Sequence, residues 1–227
     1  MTAFTGCSDF LDREPDRIVD DEQVFGDEAL IQSVLANFYG RLFVVPNTDP
    51  VITWGQLDEA GKSDGGPDNM QTFSDTQWRV YDYELIRNIN QFLQGLRGSD
   101  ALGETERRTY EGEARFIRAW TYFNMCRGMG GMPIVGDEVF DYEVGMDVTA
   151  LQYERSTEAE LYDYIIAECD EISELLPSEP TVNAARANKW AALLLKARAA
   201  IYAGSLANYN NKMPSPIRTA GGEVGIR

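Results

Sequence analysis

The chain contains no histidine. That removes the commonest general base and the commonest metal ligand, and with them any Ser-His or Cys-His nucleophile system. Cysteine is scarce and odd in number, three in 227 residues, which is no disulfide framework. Cys126 and Cys169 fall within helical patterns and read as small core residues; the sequence leaves a disulfide between them open. Basic residues are few: 20 Lys and Arg stand against 37 Asp and Glu, a net charge of −17. Nucleic-acid binding needs a basic face, and adhesion to anionic lipid by charge needs a basic cluster, so both are excluded. The acidic excess signals a well-solvated surface. There is also no run of about 18 apolar residues, the length a membrane-spanning helix requires. The chain is long enough to bury a real core.

What is present is helix. Residues 113–135 read EARFIRAWTYFNMCRGMGGMPIV. Phe116, Trp120, Phe123 and Arg127 fall on one stripe, and Ile117, Tyr122 and Met125 widen it, so this helix, predicted over residues 104–126, is buried between neighbours. Gly128, Gly130, Gly131 and Pro133 form a strong stop. On its polar side Glu111 and Arg115 are spaced for an i, i+4 pair.

Four other helices surround it. Residues 27–43 carry Asp27 as N-cap and an apolar face of Leu30, Ile31, Val34, Leu35, Phe38 and Leu42. Residues 75–96 repeat large apolar residues every three or four positions, from Trp78 to Leu96. Thr157 and Glu160 form a capping box that opens a helix ending near Leu176. The last helix is predicted from about residue 183 to 207, with Trp190, Leu193, Leu194, Ala197 and Ile201 facing inward and its alanines permitting close approach. Adjacent helices pair into hairpins, an all-α arrangement of stacked, tetratricopeptide-like units.

Two irregular stretches separate these helices. Residues 44–76, rich in Pro, Gly, Asp and Asn, are long for a loop, and such loops are functional or disordered. They carry Trp54 and Phe73. An aromatic ring in a loop is a platform for the C–H face of a sugar, and equally a pin holding the loop to the core. The second stretch, residues 136–155, carries Tyr142. The adjacent Asp58 and Glu59 lack the facing carboxylate that glycosidase chemistry needs, and Asp64 and Asp68 lack the spacing of a calcium loop. No metal or cofactor site is assigned.

The run EARFIRAWTYF followed by GGMPIV resembles the hallmark helix of the SusD/RagB outer-membrane lipoproteins. Residues 186–204 resemble that family's second signature, and Ile86, Asn90, Phe92 and Leu93 a third pattern. The resemblance extends from Cys7 to about Ala207. It implies a right-handed array of helix hairpins that scaffolds ligand-binding loops. Glu113 and Arg118 are then ion-pairing residues of the array, and Asn90 a buried polar residue tying helices together. The opening Phe4-Thr5-Gly6-Cys7 resembles the end of a lipoprotein signal, so the resemblance implies lipid on Cys7 and attachment to the outer membrane, facing the cell exterior.

The expected organisation is an N-terminus and tether over residues 1–26, a helical domain over 27–207, and over 208–227 the start of a C-terminal part not present here. By resemblance the protein is not an enzyme. It binds a glycan, through Trp54, Phe73 and Tyr142, and delivers it to a SusC-like TonB-dependent transporter. The alternative is a peptide-binding protein of the RagB kind.

Overall fold

A computed structural model describes residues 21–42, 80–140, 143–179, 185–210, 212–214, 218–219 and 222–223. Six α-helices run in chain order: α1 Asp21–Phe25, α2 Glu28–Gly40, α3 Tyr83–Gly98, α4 Glu104–Met129, α5 Glu158–Leu175 and α6 Lys189–Asn210. A 3-10 turn spans Val148–Leu151. Two antiparallel strands of two residues each, β1 Arg218–Thr219 and β2 Gly222–Glu223, close the described part.

The fold is all-α and is built around α4. This helix has buried residues on nearly every side, from Tyr110 to Cys126, as its aromatic density requires. It packs against α2, α3, α5 and α6, while α3/α4 and α5/α6 form the two hairpins expected. Each fully buried side chain such as Ile117 or Phe123 contributes roughly 1.5–3 kcal/mol. Polar staples add direction. The buried Glu113 carboxylate accepts from Tyr39 Oη and Arg186 Nε, each at 2.7 Å, and so joins α4 to α2 and to the approach to α6. Burial raises the Glu113 carboxyl above its usual range, although the Arg186 and Tyr39 hydrogen bonds oppose this. Cys126 and Cys169 are free and buried, and burial pushes each thiol up to about 12.

Several boundaries differ from the periodicity. Asp21–Phe25 is helical, and Phe25 packs on Phe92 with ring centroids 5.9 Å apart, where the sequence suggested the end of a tether. Helix α3 starts at Tyr83 rather than near residue 75: Asp82 caps it by accepting from Leu85 N at 3.0 Å, and Tyr81 is 67% exposed. Helix α4 runs on to Met129 and ends at Gly130, whose φ of +78° is a conformation that disfavours a side chain. The anticipated Glu111–Arg115 pair does not form. Tertiary partners win: Glu111 pairs with Arg97 at 2.7 Å, and Arg115 with Glu168 at 2.7 Å.

The largest departure is α6. It begins at Lys189, and its inward face is Ala192, Leu195, Ala199 and Ala203. Trp190, Leu194 and Ile201, expected inside, are 60%, 70% and 70% exposed. The helix is apolar on both sides, so periodicity alone could not choose the side that α5 covers. Alanines won because they allow the closer approach. An exposed apolar stripe of this size favours association. We predict that Leu194→Glu combined with Ile201→Glu makes the chain less self-associating in sedimentation velocity, with helicity unchanged by circular dichroism. Equal association of both forms would show that the stripe is not adhesive.

Candidate functional site

The described residues that organise a site lie where the chain leaves α4 and runs back along α3. Tyr83, Asn90 and Arg97 are seven residues apart, so they share one face of α3. Two helical turns rise about 10 Å, close to the span of three extended residues. The chain after α4 matches that step. Tyr83 Oη donates to Pro133 O at 2.6 Å, Asn90 Nδ2 donates to Gly136 O at 3.0 Å and to Glu138 O at 2.9 Å, and Arg97 Nη1 reaches Asp137 Oδ2 at 2.8 Å.

Arg118 of α4 closes the clamp from beneath. It is 1% exposed. Its Nη1 donates to Asn90 Oδ1 at 2.8 Å, to Gly136 O at 3.0 Å and to Asp137 Oδ1 at 2.6 Å; its Nη2 donates to Glu168 Oε2 of α5 at 3.2 Å. Burial would raise the Asp137 carboxyl, but the Arg118 charge and the hydrogen bonds from Arg97 and Arg118 outweigh it and hold the carboxyl below its usual range. Phe140 then stacks edge-on against Tyr153 at 5.5 Å, and the Tyr153 hydroxyl donates to Glu138. Beside the clamp is a cleft of about 280 Å³ lined by Asn90, Gln94, Arg97, Asp137 and Val139.

The second anchored feature is the base of the segment over residues 43–79. Arg41, at the end of α2, pairs with Asp82 at 2.9 Å and with Glu84 at 3.3 Å, at the start of α3. The two described ends of that segment are therefore held together. Tyr83 links this base to Pro133, so both aromatic-bearing segments are rooted at one end of the α3/α4 hairpin. Cys7, Trp54, Phe73 and Tyr142 lie outside the described residues.

The Arg118 hub was only partly visible in the sequence. Glu113 and Arg118 are ion-pairing residues, as the resemblance implied, and Asn90 is a buried tie between α3 and α4. Arg97 and Asp137 were missed. The seven-residue spacing of Tyr83, Asn90 and Arg97 on one face of α3 is a signal that points to Arg97, and nothing local points to Asp137. The charges here are engaged with one another, which suits holding a backbone in place. Among the described residues no group of three or more Cys, Asp or Glu could hold a metal ion, and no helix is long and apolar enough to cross a membrane.

Residues 9–201 match a SusD-like family described as "Starch-binding associating with outer membrane". A curated relative, SusD-like protein P25 of Formosa agariphila, is 26% identical over 217 residues, which are 85% of this chain and 39% of its own length. A SusD-like crystal structure from Bacteroides fragilis is 25% identical with a TM-score of 0.59, covering 82% of this chain and 37% of that one. A SusD-like carbohydrate-binding protein from the same species has a TM-score of 0.61 at 21% identity, covering 84% and 41%; it shares the fold. This chain thus spans well under half the length of each of these relatives. With its family match running from the N-terminal region to within α6, the chain belongs to the SusD-like family.

Proposed function

We propose that the chain binds an oligo- or polysaccharide at the cell surface and passes it to a SusC-like TonB-dependent transporter, without making or breaking a bond. The observation that carries this reading is the family match over residues 9–201, whose description names starch binding and the outer membrane. The rooting of both aromatic-bearing segments at one end of the α3/α4 hairpin supports it, because a rigid frame under loops is how a binding surface is preorganised. Trp54 and Phe73 on one segment and Tyr142 on the other supply the ring faces. Cys7 carries the lipid that holds the protein to the outer membrane. The residues before α1 form the tether, and α1 to α6 form the helical frame.

Electrophoresis through gels loaded with starch, laminarin or other glycans tests the reading with the longest available form of the protein. Wild type should be retarded by at least one glycan. Trp54→Ala should weaken retardation roughly tenfold, the loss of one aromatic stacking contact and its burial, at unchanged helicity. Equal retardation of both forms would remove Trp54 from the site.

A further inference from the structure

The α4–α5–α6 pack holds a second cavity, of about 360 Å³, within the size range of small-ligand sites. Its lining includes Arg127 of α4, Glu158 and Tyr162 of α5, and Ile201, Tyr202 and Ser205 of α6. Glu158 is 8% exposed, and among the described residues no donor or cation pairs with its carboxylate. Arg155, whose charge acts on Glu158, donates instead to the Gly131 and Met129 carbonyls. The α5 N-terminus helps a carboxylate at this position, and its oxygens keep acceptor capacity toward the cavity. Burial accordingly raises the Glu158 carboxyl above its usual range, with Arg155 opposing.

Tyr162 is 1% exposed, and its hydroxyl has no oxygen or nitrogen partner among the described residues. Arg127 donates to Asn124 Oδ1 at 3.0 Å and lies over the Phe123 ring, again with no carboxylate partner among the described residues. A carboxylate without a cation, a cation without a carboxylate and aromatic walls therefore meet around one opening. A cationic ligand would face Arg127 and an anionic one would face Glu158. A neutral ring bearing adjacent hydroxyls satisfies both, because each hydroxyl donates and accepts.

We propose that this cavity is a saccharide subsite for one neutral pyranose ring, its hydroxyls donating to Glu158 and accepting from Arg127, with the ring face against Tyr202. The proposal rests on the glycan-binding reading above and adds a position on the α5/α6 side of α4, across that helix from α3.

The test is a ¹⁵N NMR titration of the whole chain with maltose, cellobiose and laminaribiose, run beside the glycan gels. At least one disaccharide should shift the amides of Glu158, Tyr202 and Ser205 saturably. Ser205→Trp, an exposed position that tolerates bulk without touching the core, should abolish those shifts. Glu158→Gln should weaken binding roughly tenfold, the loss of a charge-assisted hydrogen bond. Retardation of wild type in the gels without any shift at the cavity would overturn the subsite and leave the glycan reading standing. Neither retardation nor shifts would overturn both. Shifts at the cavity from free alanine and none from the sugars would identify an amino-acid site and overturn the saccharide assignment.

Discussion

Replacing Arg118 by Met lowers the stability of the chain by about 3 kcal/mol, the lower end of the cost of breaking a buried ion pair from one side. The lower end follows from who is left behind. Glu168 keeps Arg115 at 2.7 Å, and Asp137 keeps Arg97 at 2.8 Å. Asp137 is also 45% exposed at its side chain, so water replaces part of what it loses. The unrelieved loss falls on Asn90, 1% exposed, whose Oδ1 accepts only from Arg118 among the hydrogen bonds described. In a chain of this size the loss lowers the melting temperature on the order of 10 °C. Arg118→Lys rescues little, because one ammonium cannot reproduce the two-nitrogen fork that reaches Asp137 and Glu168 together. Thermal unfolding by circular dichroism reads the size of the effect. Limited proteolysis reads its place, since cleavage within residues 136–147 should accelerate before the helices melt. A variant as stable as wild type, with the same cleavage pattern, would mean that the clamp carries no weight.

Acidity probes the same hub with a definite sign. Asp137 has a folded value below its ordinary 3.8, so its contribution is present above that ordinary value and is lost as pH falls through the lowered one. Glu113 and Glu158 are raised and act the other way: folding favours their protonated forms, so acidification through their raised values relieves a cost.

Gly131→Ala has an effect of similar size for an unrelated reason. A methyl group built there lies 1.9 Å from Ser156 O, 2.7 Å from Thr157 C and 2.9 Å from Glu158 N. All three are backbone atoms, so no side chain can rotate away. The clash strikes the start of α5, where Thr157 and Glu160 form the capping box and Ser156 Oγ donates to Met132 O at 2.6 Å. Overpacking costs roughly 1–3 kcal/mol and loss of a cap about 1 kcal/mol more, so the variant should lose about 3 kcal/mol in a denaturant titration. The control is Gly145→Ala, with a φ of +91° but open space around it; it should lose less, from backbone strain alone. Equal losses in the two variants would attribute the effect to glycine conformation rather than to close approach.

The glycine pair shows how much the sequence disclosed. The Gly-Gly-x-Pro run marked a helix stop, and Gly130 provides it through its positive φ. The demand on Gly131 comes from α5, 25 residues further on as counted to Ser156, and no local pattern announces such an approach. Helix α4 was legible because its aromatic density fits only a buried helix. Helix α6 misled because both its sides are apolar, and the choice between them was made by packing against α5. Asp82 was read as helix interior because apolar spacing continued through Trp78 and Tyr81; its short side chain caps Leu85 instead. The candidate site divides in the same way. Buried Arg118 and Asn90 were marked by the family pattern, whereas Arg97 and Asp137 became visible only when the chain was laid along α3.

The measurement that tests the central claim most directly is binding of the wild-type protein to a glycan array, in parallel with a peptide array of matched size. Selective retention on one class of glycan, with no peptide retained, is the result this account predicts. Retention on peptides with no glycan bound would contradict it and would make this a RagB-like peptide-binding member of the family.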